Sequence, residues 1–246
     1  MIRLLIGLAL MPTSALTLAA AAQSLALLAA RAPSAFPFLA GVLVAVAAWL
    51  FGRYCAASDS GPTAWLGAVS RRVYVFGHEL THALAAWSVG GKVLGFSVGA
   101  SGGHVDLSHS NAFISLAPYC VPIYTLTAIL SYRLLLWLKP SAGGSLIFLA
   151  VVGLTLAFHG LKTFEVLFDL RQPDLRQAGG VVFSMAWIGL ANGLVVLLLI
   201  KALFPDAVAL SLELSLTAAR TAWFWTWLWH FLKPLTTGFA SQLKRP

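Results

Sequence analysis

Residues 71–91 read RRVYVFGHELTHALAAWSVGG, and what kind of molecule this is follows from how that stretch is placed. Within it, His78-Glu79-Leu80-Thr81-His82 sets two imidazoles at i and i+4, one above the other on one helix face. That spacing lets both reach a single zinc ion, and the neighbouring Glu79 can then act on a zinc-activated water. HALAAW is strongly helix-forming, and Gly90-Gly91 is a good helix stop. In a chain with these His and Glu frequencies, a chance HExxH is roughly a 1-in-200 event. The plainer alternative is a hydrogen-bonded pair of histidines that only packs a helix bundle.

Outward from the motif, nearly everything is apolar. Of 246 residues, 59% are hydrophobic and 10% charged, and the mean hydropathy is +0.86. A soluble domain carries about 25% charged residues, so this chain cannot cover a soluble globule. It reads as one multi-pass membrane domain over 1–246, with a catalytic core at about 65–204 and an interfacial or spanning segment at 205–246. The net charge of +8 comes from Lys and Arg at the ends of apolar runs, where they snorkel or meet anionic headgroups. No basic cluster with interleaved aromatics points to nucleic acid. Cys55 and Cys120 have no CxxC partner, so neither a disulfide nor a cysteine metal site is expected.

The expected fold is all-α, with about six transmembrane helices, a seventh left open, and a short β-hairpin or re-entrant loop after the HExxH helix. The first span is Leu4–Ala30, longer than a signal-peptide core of about 7–15 residues, so it reads as a retained helix. The second covers about Phe38–Gly52, and RYCAASDSGPTAW after it is a loop. The third runs from about Trp65 to the Gly90-Gly91 stop. Then KVLGFSVGASGGHVDLSHS offers two β-prone pieces, Val93–Val98 and His104–Leu107, around a GASGG turn. Irregular backbone near a bilayer must be buried or line a wet cavity, so this segment marks a site. The fourth span, about Ala112–Leu138, should kink at Pro118 and Pro122. The fifth is about Ser145–Phe164, and the sixth about Leu175–Phe204. Beyond them, AVALSLELSLTAAR alternates at period 2, which argues a strand or interfacial segment, and WFWTWLW suits a membrane interface.

With one crossing per span, the 90–111 and 162–174 loops share a face. Arg3, Arg53, Arg71, Arg72, Arg133 and Lys139 fall on the other face. Arg31, Lys92, Lys162, Arg171 and Arg176 fall with the two loops. That balance does not orient the chain.

A catalytic zinc takes three protein ligands and keeps one position open. The candidates for the third are His104, Asp106, His109, His159, Glu165, Asp169 and Asp174. Asp174 follows Pro173 at a helix start. Glu165 and Asp169 form an ExxxD pair, a spacing by which some HExxH enzymes supply a ligand and its support. Asp59, Asp106, Asp206 and Glu213 read as loop or interfacial charges, and His230 as an interfacial histidine.

HELTHALAA in an apolar helix comes first, then a Gly-rich β-prone segment, a Pro-containing span, and Gln172-Pro173-Asp174-Leu175 opening a later span. This order resembles the site-2 protease family of intramembrane zinc metalloproteases over about residues 70–190. The family's typical motif has Asn-Pro followed by Asp-Gly; here the glycines stand at 179 and 180. The resemblance implies that His78, His82 and Asp174 bind Zn2+ and that Glu79 is the general base. It implies a transmembrane protein or peptide as substrate, and a bacterial inner membrane with the active site toward the cytoplasm. An exposed edge of the 92–107 segment would hold an unwound substrate by β-addition. Three alternatives stay open: a chamber-type membrane zincin using Glu165, a membrane zinc hydrolase acting on a lipid or small molecule, and a metal-binding transporter or scaffold without protease activity.

Overall fold

Proline and glycine cut the apolar sequence into helices, and their positions decide where the site forms. The computed structural model of the protein describes residues 1–55, 62–99, 102–141, 143–168 and 172–242. Asp59, Asp169 and the Ala100-Ser101 pair of the GASGG turn lie outside the described residues. In chain order the helices are α1 (Ile2–Ala26), α2 (Leu28–Arg31), α3 (Phe36–Cys55) and α4 (Pro62–Ser88). Strands β1 (Val93–Val98) and β2 (Gly103–Leu107) follow. The chain then forms α5 (Ala112–Cys120), α6 (Ile123–Leu138), α7 (Ser145–Phe168), α8 (Pro173–Ala178), α9 (Val181–Leu203) and α10 (Leu210–Gln242). β1 and β2 pair antiparallel, with Phe96 opposite Val105 and Ser97 opposite His104.

Four described helices are long and apolar enough to cross a membrane: α1, the stretch Pro33–Arg53, α7 and α9. The bent pair α5–α6 makes a fifth when counted as one span. The HExxH helix α4 is not among them; Arg71, Arg72 and Glu79 all sit in its middle.

Small residues let the long helices touch through their backbones, the usual basis of helix association without a hydrophobic drive. On α3 and α7, a Cβ at Gly41 would collide with the Ala150 carbonyl, and one at Gly153 with the Phe38 carbonyl. On α1 and α9, Gly193 rests against Thr17 and Gly189 against Ser14. The main core cluster lies between these helices, around Leu28, Phe38, Val152, Leu197 and Ile200.

The kink expected at Pro118 and Pro122 is present: α5 and α6 meet at 69°. Pro122 has no N–H to return to the Pro118 carbonyl. The Ile123 N–H turns to the Val121 carbonyl instead (2.8 Å), and the Tyr119 carbonyl accepts from Asn192 Nδ2 of α9 (2.7 Å).

Three expectations change. The sixth span is not one helix. Gly179 and Gly180, at φ +142° and +96°, break it into α8 and α9, and a left-handed pair of that kind ends a helix rather than continuing it. Of the two readings of residues 210–220, strand or interfacial segment, the strand is overturned: they belong to helix α10. Leu212, Leu214 and Leu216 stay exposed there. A helix satisfies its own backbone, whereas an open strand edge in an apolar medium does not.

The third change concerns the ends of the bundle. Arg3 Nη1 donates to the Ala178 carbonyl at 3.1 Å, and Arg31 Nη1 to the Ala207 carbonyl at 3.3 Å. Phe38 meets Phe204 edge-on, and Trp49 Nε1 donates to Glu165 Oε1 at 2.5 Å. Arg3, Trp49, Glu165 and Ala178 therefore share one end, and Arg31, Phe38, Phe204 and Ala207 share the other. Arg3 is not opposite the 162–174 segment, as one crossing per apolar run required. An even number of passages separates Arg3 from Ala178. α1, α3, α5–α6 taken as one span, and α7 supply them when α4, which is not among the helices apolar enough to cross, is left out of the count.

Candidate metal centre

The helical spacing of His78 and His82 does what the sequence requires. Their Nε2 atoms lie 3.2 Å apart. Asp174 Oδ2 lies 3.4 Å from the first and 3.6 Å from the second. Among the described residues, His78, His82 and Asp174 form a group able to hold a metal ion. Three lone-pair atoms facing each other at these separations repel unless a cation or a shared proton lies between them.

Each candidate ligand is oriented from behind, as metal ligands generally are. With Nε2 free to ligate, His82 Nδ1–H donates to the Ile114 carbonyl at 2.8 Å. His78 Nδ1–H in turn points at the Tyr74 hydroxyl, 3.3 Å away and one helical turn back. Asn111 caps α5 by accepting from the Ile114 N–H (2.9 Å), so the carbonyl that steers His82 sits in a fixed first turn. The Tyr119 hydroxyl donates to Asp174 Oδ2 at 2.8 Å, and its ring lies edge-on against His78. Burial works to raise the Asp174 carboxyl, but the facing His78 and His82 imidazoles and the Tyr119 hydroxyl outweigh it and hold the carboxyl well below the usual carboxylate range.

Asp174 reaches the histidines because α8 is docked as a unit. Leu175 and Ala178 are fully buried in a cluster with Leu116, Tyr119 and Ile188. Pro173 opens the helix at its first position, where a missing N–H costs nothing.

Glu79 is 8% exposed and borders, with both histidines and Asp174, a cavity of about 560 Å3. One of its walls is β2, through Gly103, His104, Val105 and Leu107; β1, paired with β2, packs on α4 through Phe96 against Phe76. Gln172, Gln177, Ser110 and Ser115 add polar lining.

The other candidate ligands have separate partners. His104 pairs with Asp106 at 2.9 Å on the exposed face of β2, and His109 approaches Ser108; both histidines line the cavity mouth. His159 Nε2 lies 3.2 Å from Asn192 Oδ1. Glu165 accepts from Trp49 and from Lys162 (2.8 Å). Cys120 is a free thiol.

Sequence reasoning did not find Tyr74, Tyr119, Asn111 or Gly103. Tyr74 was within reach of it, being four residues before His78 on the same face. Tyr119 and Gly103 carry no local signal; only the packing of α5 and β2 on α4 gives them a role. No known family model, curated protein or solved structure matches this chain.

Proposed function

We propose that this chain is an intramembrane zinc metalloendopeptidase of the site-2 protease type, which hydrolyses peptide bonds of transmembrane substrates. The observation that carries this reading is the triangle of Nε2, Nε2 and Oδ2 atoms, with edges of 3.2, 3.4 and 3.6 Å, beside Glu79 in one cavity. Zinc with tetrahedral ligands at about 2.0–2.2 Å needs those atoms roughly 3.3–3.6 Å apart. Two imidazoles and one carboxylate also leave a position open, as catalytic zinc requires. When bound, zinc supplies Lewis acidity and lowers the pKa of a bound water toward neutrality.

The chain's own residues do the rest. His78, His82 and Asp174 hold the metal. Glu79 takes a proton from a water in the cavity and returns it to the leaving amine. Two histidines and a carboxylate also serve iron(II) in other proteins; a glutamate beside the first ligand favours hydrolysis. The pairing of Glu165 with Lys162 and Trp49 disfavours the chamber-type alternative. A catalytically dead scaffold has no use for a base at position 79.

A substrate helix hides its carbonyls in i→i−4 bonds and must unwind before it can react. The strand that walls the cavity is β2, so β-addition there, rather than at β1, suits an extended substrate. A cytoplasmic site is part of this reading, as the family resemblance implies; the basic residues, with Arg3, Arg53, Lys92, Lys162 and Arg176 toward the site end against Arg31, Arg133, Lys139 and Lys201 toward the other, do not orient the chain by themselves.

The deciding experiment measures bound zinc and hydrolysis of a transmembrane peptide in detergent, for the wild type and Glu79→Gln. Zinc in both with cleavage only by the wild type is expected. Zinc in neither would return His78 and His82 to a packing role.

A further inference from the structure

We propose that Arg3 is a positioning residue for the third metal ligand: it clamps the far end of the short helix that carries Asp174. The proposal rests on the metal-site reading above and adds a residue from the opposite end of the sequence.

The helix α8 is six residues long, too short to hold itself together. Its last carbonyls need outside donors. The Arg176 carbonyl takes the Gly179 N–H at 3.3 Å and the Leu175 carbonyl the Gly180 N–H at 3.0 Å. Ser184 Oγ also donates to Leu175, at 2.9 Å. The Ala178 carbonyl takes Arg3 Nη1 at 3.1 Å. Ser184 belongs to the adjoining α9, whereas this last bond ties α8 to α1, 175 residues away.

The slot for Arg3 is built into the chain. A Cβ on Gly179 would stand 2.5 Å from Arg3 Cδ and 3.3 Å from Arg3 Cβ. Gly179 is also at φ +142°, so both space and conformation reserve the position for glycine. One turn along α1, a Cβ on Gly7 would stand 2.7 Å from Phe183 Cα, so α1 lies flush against the start of α9. Tyr119 therefore fixes α8 at its Asp174 turn and Arg3 fixes it at the other end. Without Arg3, α8 keeps its bonds to Gly180 and Ser184 and loses its tie to α1.

A built-in control exists. Arg31 makes the same kind of clamp on the Ala207 carbonyl at 3.3 Å, at the end of the bundle away from the site. The test uses the full chain in detergent and reads zinc affinity by chelator competition, together with the visible absorption of the cobalt(II)-loaded protein. Arg3→Met should lower zinc affinity roughly tenfold, the low end of the effect of losing a ligand's outer support, and shift the cobalt bands. Arg3→Lys should recover most of the affinity. Arg31→Met should bind zinc like the wild type. Arg3→Met with wild-type affinity, or Arg31→Met losing as much, overturns the proposal while wild-type zinc keeps the metal-site reading intact. A wild type that takes up no zinc overturns both.

Discussion

Gly103 and Glu79 stand against each other with no room for a side chain between them: a Cβ on Gly103 would lie 2.8 Å from Glu79 Cγ and 2.6 Å from Val75 Cγ1. The demand is for space, since Gly103 is not among the positive-φ glycines. It sets how closely β2 can approach α4. Gly103→Ala should push Glu79 aside or lift the strand, at an overpacking cost of about 1–3 kcal/mol. The three proposed metal ligands are untouched, so zinc content should stay at the wild-type level. Hydrolysis should fall by roughly tenfold or more, because a base displaced by a fraction of an ångström loses its line to the water. A Gly103→Ala protein of unchanged rate would mean that Glu79 has slack the contact denies.

Tyr119 makes a different kind of prediction, since its hydroxyl touches a ligand and not the base. Tyr119→Phe keeps the ring against His78 and removes only the donor to Asp174 Oδ2. A hydrogen bond to a charged acceptor contributes about 1.5–3 kcal/mol. Zinc affinity should drop by roughly 10–100-fold, and activity at saturating zinc should largely return. Competition with a chelator at several zinc concentrations separates this from misfolding, which added zinc would not reverse.

Much of the site was legible before the fold. His78, Glu79 and His82 act through i, i+1 and i+4, and a helix converts that spacing directly into geometry. Pro118 and Pro122 announced the α5–α6 kink for an equally local reason. Asp174 was one candidate among several, because its position depends on α8 docking against Leu116 and Tyr119, and nothing in Gln-Pro-Asp encodes that contact. The side on which Arg3 lies was misjudged for a definite reason. Counting every apolar run as a crossing included α4, whose Arg71, Arg72 and Glu79 set it apart from the helices able to cross. The strand reading of 210–220 failed because period-2 leucines describe a pattern of faces, while backbone satisfaction in an apolar medium decides the conformation.

The choice between Asp174 and Glu165 as third ligand can be made directly. Glu165 is held by Trp49 and Lys162 on the flank of α7. Glu165→Gln keeps the acceptor for Trp49 and weakens only a partly exposed ion pair, so it should leave zinc stoichiometry unchanged. Asp174→Ala should lose most of the zinc, because two histidines alone make an incomplete catalytic set. The reverse outcome would move the third ligand to α7.

The pairing of Arg3 with Ala178 makes the topology testable in intact cells. In a background without Cys55 and Cys120, single cysteines replace Ile2, His109 or Ser141. All three positions are exposed. Position 2 sits beside Arg3, position 109 follows β2 at the cavity mouth, and position 141 lies just past the far end of α6. A membrane-impermeant thiol reagent added outside should label 141 and spare 2 and 109 until the membrane is opened. If α4 crossed the bilayer, positions 2 and 109 would lie on opposite sides and label differently. Joint protection of 2 and 109 would mean that the HExxH helix enters and leaves from one face, with the metal ligands set close to that face. A substrate segment would then reach Glu79 along β2 from the same side.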